Sequence, residues 1–327
     1  MKQKVFVTRK IPEAGIKLLK KKFSVTISRK NRVLTKKELL TGLKGKDALL
    51  CQLTDRIDAE ILKAGSRKLK IVANYAAGYD NIDTKTATKL RIAVTNTPGV
   101  LTDAVAEHAC ALIMAIARRL VEADKFMRAG QYKSWEPMLL LGQDIKGKTL
   151  GILGLGRIGT AVAERMARGF GMRILYYDTK RSPEFEQQLG AEYTSVQQLL
   201  RESDYVSLHV PLLPKTRHLI SAKELASMKK TAYLINTSRG PVVDEKTLVN
   251  ALKRKQIAGA AIDVFENEPK MAQGMEKLDN IIITPHIASA TFSARSAMSE
   301  IAAKNITEAL NGKKPQNIIN PEIYQKQ

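Results

Sequence analysis

The sequence predicts an α/β protein of two doubly wound parallel-sheet domains, and three observations carry that prediction. Short β-type runs alternate with helical ones along nearly the whole chain, as expected of parallel strands joined by crossover helices. A turn signal, NTPG at 96–99, and a long helical stretch after it separate two such series. The second series opens on a glycine-rich turn, LGLGRIG at 153–159.

In the first series, KVFVT (4–8), FSVTI (23–27), DALLC (47–51), LKIVANY (69–75) and IAVTN (92–96) read as strands. Helical patterns fall between them: EAGIKLLKKK, TKKELLTGL, DAEILKAG and TKTATKL. TDAVAEHACALIMAIARRLVEADKFMRAG then reads as one long helical stretch. In the second series the strands are KTLGILG (148–154), MRILYYD (172–178), DYVSLHV (204–210), TAYLINT (231–237), IAGAAIDV (257–264) and IIITPH (281–286). SVQQLLRES and EKTLVNALKRK are helical, and one amphipathic helix is expected over 289–312. At 327 residues the chain has room for about two ordinary domains.

Composition narrows the class. Hydrophobic residues make up 44%, enough for a globular core. The longest apolar run, ACALIMAIA (109–117), is stopped by Arg118 and Arg119, far short of the ~20 residues of a membrane span. It is read as a buried helix. The start MKQKVFVTRK lacks the apolar core of a signal peptide, so a cytoplasmic protein is expected. Cys51 and Cys110 sit in apolar contexts and read as buried free thiols; no metal site is expected. The net charge of +22 invites a nucleic-acid reading. Yet the basic residues are scattered, aromatics are only 5%, and no zinc-finger or RNP-like motif accompanies them. The better reading is a solvated basic surface that attracts small anions, with no nucleic-acid or membrane partner.

The turn Gly154-x-Gly156-x-x-Gly159 is weak evidence alone, but its context is that of a dinucleotide site. A β-type run precedes it, a helical pattern follows, and Asp178 closes the next strand roughly 20 residues on. Gly154 permits the tight turn, Gly156 lets the backbone approach a pyrophosphate, and Gly159 allows close helix–strand packing. The amides of Arg157 and Ile158 would face the phosphates from the helix N-terminus. Asp178 can accept from the ribose hydroxyls and would repel a 2′-phosphate, which favours NAD (as NADH) over NADP. Lys180 and Arg181 nearby soften that preference, so NADP stays open.

Three polar residues close neighbouring strand runs. Arg239 ends LINTSRG, Glu268 follows GAAIDVFENEP, and His286 follows IIITP. Ligands of open α/β sheets bind at such carboxyl ends. A guanidinium can clamp a carboxylate and polarise an adjacent carbonyl. An imidazole can protonate the carbonyl oxygen, and a carboxylate can hold the imidazolium. Each residue taken alone also has an ordinary structural reading: loop histidine, surface-turn arginine, solvated cap.

LGILGLGRIGTAVAERM, SDYVSLHVPLLPKTRHLI, MKKTAYLINTSRGPVVDEKTLVNAL, AGAAIDVFENEP and ITPHIASAT together closely resemble the D-isomer-specific 2-hydroxyacid dehydrogenases, essentially from end to end. The resemblance implies catalytic roles for Arg239, Glu268 and His286. It implies a flavodoxin-like substrate domain (1–99 and 288–327) interrupted by a Rossmann dinucleotide-binding domain (100–287). ANYAAGYDNID matches the family loop whose amides hold the substrate carboxylate, so Ala76, Ala77 and Gly78, with Leu53, are implied substrate contacts. Val105, Val210, Pro211, Thr237, Ser238 and Asp263 are implied cofactor contacts; some members carry a polar residue where Val105 stands. Trp135, in GQYKSWEP, matches a family aromatic that reaches the partner subunit's active site, packing being the other reading. GYDNID and LTDRID resemble the glyoxylate/hydroxypyruvate reductase branch, implying NADH-dependent reduction of a small 2-oxoacid by a homodimer. D-3-phosphoglycerate dehydrogenase, another D-2-hydroxyacid dehydrogenase and an NAD-sensing corepressor-like protein are the alternatives.

Overall fold

The structure, a computed structural model described for residues 2–325, divides into two compact units, Met1–Leu101 with Ala290–Gln327, and Thr102–Ser289. The first unit begins with β1 (Lys4–Val7), α1 (Glu13–Lys22), β2 (Ser24–Ile27), α2 (Lys36–Leu43), β3 (Ala48–Gln52), α3 (Ala59–Gly65), β4 (Ile71–Tyr75), α4 (Thr84–Lys89) and β5 (Ala93–Thr95). The second holds α5 (Thr102–Ala117), α6 (Leu120–Arg128), β6 (Thr149–Leu153), α7 (Arg157–Phe170), β7 (Arg173–Tyr177), α8 (Pro183–Leu189), β8 (Glu192–Tyr193), α9 (Val196–Glu202) and β9 (Tyr205–Leu208). It ends with α10 (Ala222–Ser227), β10 (Tyr233–Asn236), α11 (Glu245–Lys253), β11 (Gly259–Ile262) and β12 (Ile281–Ile283), after which α12 (Phe292–Leu310) returns to the first unit.

Both sheets are parallel throughout. The first has the order β2-β1-β3-β4-β5, and the second β12-β11-β10-β9-β6-β7-β8. Helices on both faces make the central strands mostly apolar rather than alternating: β3, β4 and β6 read ALLCQ, IVANY and TLGIL. In the second sheet the strand order reverses at β6, between β7 and β9, which is where such folds bind ligands.

Local chemistry sets the helix ends. Thr35 and Glu38 form a capping box on α2, and the Thr291 hydroxyl accepts from the Ala294 amide to start α12. Gly171 ends α7 in the left-handed conformation. α7 turns a small-residue face, Gly159, Ala161, Val162 and Ala163, into the core of its unit. α12 packs on α1 and β4.

Three departures from the sequence expectation have physical causes. The long helical stretch after residue 101 is two helices, because Arg119 takes a left-handed conformation (φ 52°) that no glycine or proline announces. β8 went unseen because it is two exposed residues with no periodicity. Predicted strands overrun the observed ones by one to three residues at an end, since apolar runs continue past the last ladder bond: 257–264 was expected where β11 spans Gly259–Ile262. Cys51 and Cys110 are free and buried, and burial pushes the Cys110 thiol up to about 11. No helix among the described residues is long and apolar enough to cross a membrane.

Candidate active site

The carboxyl ends of β10, β11 and β12 carry the three polar residues singled out above. Arg239 follows β10 in a turn shaped by Asn236, whose amide donates to the Arg239 carbonyl (3.0 Å) and whose Oδ1 accepts from the Ser238 amide (3.0 Å) and hydroxyl (2.8 Å). The Arg239 Nη1 donates to the Ser238 carbonyl (2.8 Å). Gly240 comes next because nothing larger fits: a Cβ there would overlap the Phe265 carbonyl carbon. That contact brings the Arg239 turn against the segment leading to Glu268.

Glu268 and His286 are in direct contact. The His286 Nδ1 lies 2.9 and 3.0 Å from the two carboxylate oxygens, and Glu268 also accepts from the Phe265 amide (3.1 Å). The engagement of Nδ1 leaves Nε2 as the nitrogen that can act on a ligand. His286 itself is left-handed (φ 54°), a strained conformation that persists only where surroundings dictate it. Its amide is held by the carbonyls of Asp263 (2.8 Å) and Thr284 (3.0 Å).

Asp263 is the clamp beneath this turn. It is fully buried and accepts from the Thr284 hydroxyl (2.6 Å) and the amides of Ile287 and Ala288 (2.8 Å each), with His108 Nε2 3.6 Å away. Burial works to raise its carboxyl, but the bonds from His108, Thr284 and the two amides outweigh it, and the group stays below its ordinary range. A second buried carboxylate, Glu245 on α11, accepts from the Glu266 and Ala272 amides and so fixes the loop that carries Glu268. Burial raises the Glu245 carboxyl. His108 and Glu245 carried no role in the sequence reading; each lies far in sequence from the group it supports, and no local pattern marks such a pair.

The glycine turn follows β6 at the order reversal. Gly154 has φ 97°, and a Cβ there would lie 2.8 Å from the His209 backbone; one on Gly159 would overlap the Gly154 carbonyl. Asp178 accepts from the Leu155 amide (2.6 Å) and from the Thr179 amide (2.6 Å), which ties it to the turn. Arg157 and Ile158 open α7. Val210 and Pro211 follow β9, beside His209, whose Nε2 is 2.8 Å from the Ser207 hydroxyl and which burial pushes down to about 4. Val105 is buried on α5.

In the first unit, the loop after β4 is built from behind. The carbonyls of Ala76, Ala77 and Gly78 accept respectively from the Thr97 amide (2.8 Å), the Asn96 side chain (2.6 Å) and the Asn74 side chain (2.8 Å). The amides of Ala77 and Gly78 donate to nothing among the described residues. Leu53 follows β3, beside this loop's anchor Asn81, which donates to the Gln52 and Asp55 carbonyls. Trp135 is 77% exposed, so the reading in which it packs within its own chain does not describe this structure.

The family model for the D-isomer specific 2-hydroxyacid dehydrogenase NAD-binding domain matches residues 110–288. Glyoxylate reductase of Thermococcus litoralis is 51% identical over 327 residues, covering 99% of this chain and 98% of that one. The chain belongs to the D-isomer specific 2-hydroxyacid dehydrogenase family. Among solved structures, a Thermus thermophilus protein superposes with a TM-score of 0.90 at 42% identity, over 97% of this chain and all of that one. A glyoxylate reductase from Paecilomyes thermophila gives a TM-score of 0.87 at 32% identity, over 98% and 99% of the two chains.

The family's nicotinamide dinucleotide fits the residues present. A Cβ on Gly156 would meet nothing within 4 Å, leaving open space over the start of α7, where helix amides favour an anion. The buried Thr237 hydroxyl, just past β10, has no partner among the described residues and awaits one. Among the described residues no group of three His, Cys, Asp or Glu is placed to hold a metal.

Proposed function

We propose that the enzyme reduces glyoxylate, and hydroxypyruvate as a close analogue, with His286 as the proton donor. The observation that carries this reading is the Glu268–His286 pair, held at the end of β12 with the Arg239 turn locked alongside by Gly240. When bound, the nicotinamide supplies the hydride that reaches the carbonyl carbon. The protein's own residues do the rest. Arg239 engages the substrate carboxylate and polarises the neighbouring carbonyl. His286 passes the proton on Nε2 to the carbonyl oxygen, while Glu268 at Nδ1 orients the ring. The amides of Ala77 and Gly78, with Ala76 and Leu53, seat the carboxylate end. Backbone donors suit an anion.

Arg157, Ile158, Asp178, Val210, Pro211, Thr237, Ser238, Val105 and the wall near Asp263 hold the dinucleotide. NADH is the preferred form. Asp178 would repel a 2′-phosphate, and Arg181, the nearby cation best shaped to offset that, is forked onto Glu186 (2.9 and 2.7 Å). The protein acts as a homodimer through the segment after α5. There Leu120, Met127, Trp135, Met138 and Leu141 are all exposed, a concentration of apolar surface that a second copy would cover.

The deciding experiment is a rate panel of glyoxylate, hydroxypyruvate, pyruvate and phosphohydroxypyruvate, each with NADH and NADPH. The expected outcome is fastest reduction of glyoxylate or hydroxypyruvate with NADH. A preference for phosphohydroxypyruvate would overturn the substrate reading, and a preference for NADPH the reading of Asp178. Light scattering that returns a monomer mass would sink the dimer.

A further inference from the structure

Seven described residues bear a buried side-chain nitrogen or oxygen with no hydrogen-bond partner, and five of them belong to the first unit: Thr8, Arg9, Gln52, Thr95 and Thr97. All five lie at or just past the carboxyl ends of β1, β3 and β5. That is the edge at which open α/β sheets bind ligands.

Arg9 stands out among them. Its Nε and Nη2 are both buried and both unpartnered. The residue as a whole is only partly buried, but the covered edge of a guanidinium that meets no acceptor loses its water without compensation. These two nitrogens form one edge of the group, the parallel fork that matches the two oxygens of a carboxylate. The protein uses that same edge three times elsewhere. Arg119 grips Glu122 (2.8 and 2.6 Å), Arg173 grips Glu192 (2.8 and 2.7 Å) and Arg181 grips Glu186. Those forks have a carboxylate supplied by the chain. Arg9 presents the same fork, and no described residue supplies its carboxylate.

Its position says where the missing oxygens belong. Val7 pairs with Leu50 and the Thr8 amide donates to the Leu50 carbonyl (3.0 Å), so Arg9 lies just past the end of β1, at the same carboxyl edge as Gln52, the last residue of the neighbouring β3. Gln52 pairs in turn with Tyr75, the residue before Ala76. The Tyr75 hydroxyl is committed to the Arg295 carbonyl (2.7 Å), whereas the Gln52 Nε2 has no acceptor. Two strand spacings, about 10 Å, separate the backbone of Arg9 from that of the Ala76–Gly78 loop. A long side chain spans much of that distance.

We propose that Arg9 and Gln52 form a second oxyanion subsite, which receives the distal acidic group of a 2-oxodicarboxylic acid. The assignment rests on the Ala76–Gly78 amides seating the first carboxylate. It extends the substrate range of this enzyme from small 2-oxoacids to four- and five-carbon diacids.

The test compares oxaloacetate and 2-oxoglutarate with glyoxylate in the parent, Arg9→Met and Arg9→Lys enzymes. The parent should turn over at least one diacid. In Arg9→Met, kcat/KM for that diacid relative to glyoxylate should fall at least tenfold, mainly through KM. Arg9→Lys should recover part of the loss, because it keeps the charge but not the fork. An unchanged ratio in Arg9→Met, or a parent that reduces neither diacid, overturns the proposal. Thermal melts supply a readout independent of turnover. Succinate, but not acetate at equal ionic strength, should raise the melting temperature of the parent and leave Arg9→Met unmoved; an equal rise in both is evidence against the subsite. If glyoxylate is not reduced and yet the succinate effect depends on Arg9, the functional reading fails while the subsite stands.

Discussion

The carboxyl edges of the two sheets are built on opposite plans. On the second sheet, the Thr237 hydroxyl apart, the polar groups around the reacting residues satisfy one another: Asp263 is filled by Thr284 and two amides, Glu268 by His286 and Phe265, and Asn236 by the Ser238–Arg239 turn. On the first sheet the asparagines behind the loop are bonded, but a set of donors in front of them is left open. The amides of Ala77 and Gly78, the Arg9 fork and the Gln52 amide group have no acceptor among the described residues. A closed network holds a few groups in one geometry, as proton transfer requires. An open set of donors is a receptor for an anion that arrives from outside. The difference separates reacting from recognising.

The most severe way to break this contrast is His286→Ala. If the second edge is the reacting one, kcat/KM should fall by about 10²–10⁴ while NADH still binds, as read by fluorescence titration. Near-normal turnover would remove the reacting role. Asp263→Asn should come next, at about 3 kcal/mol in urea denaturation, because an amide NH₂ would be turned against donors in a closed network. A cost under about 0.5 kcal/mol would mean that the network is looser than its distances imply.

Acid supplies a third test, with His209. Its folded pKa of about 4 lies below the ordinary histidine range near 6.5, so between those values the unfolded chain binds the extra proton. Stability is therefore full above about pH 6.5 and is lost as pH falls toward 4, by about 2 kcal/mol at pH 5. Urea midpoints for the parent and His209→Gln at pH 7.5 and 5 should show the loss flattened in the variant. The smallest effect belongs to the first edge. Asn74→Ala removes the bond to the Gly78 carbonyl, and should cost about 1 kcal/mol while raising KM for glyoxylate more than it lowers kcat. Equal losses in both constants would place this loop in the chemistry and erase the distinction.

What was legible in the sequence follows the same division. The glycine turn and Asp178 were readable because a dinucleotide turn demands particular residues at particular spacings, all within one βαβ unit. Glu268 and His286 stood at the ends of apolar runs, so their shared edge could be inferred before their contact was seen. The support beneath them could not. His108 and Asp263 lie 3.6 Å apart across more than half of the second unit's sequence, and nothing in a helical pattern distinguishes His108 from a solvated residue. Arg9 was missed for a related reason. A lysine- and arginine-rich N-terminal stretch looks like surface, and only the packed sheet shows that one edge of one of its cations is covered. Strand cores were local and readable; the helix break at Arg119 was not, because a left-handed arginine has no sequence signature.

The return of α12 to the first unit also sets a schedule. α12 packs on α1 and β4, and the Ser299 hydroxyl accepts from the Gly15 amide, so this helix covers part of a sheet whose strands all precede residue 96. Between them the ribosome must make the whole of Thr102–Ser289. At about 5–20 residues per second, the first sheet waits some 10–40 s with part of one face uncovered, while the second unit, contiguous in the chain, can close as it emerges. The later-made half is thus the one free to finish first.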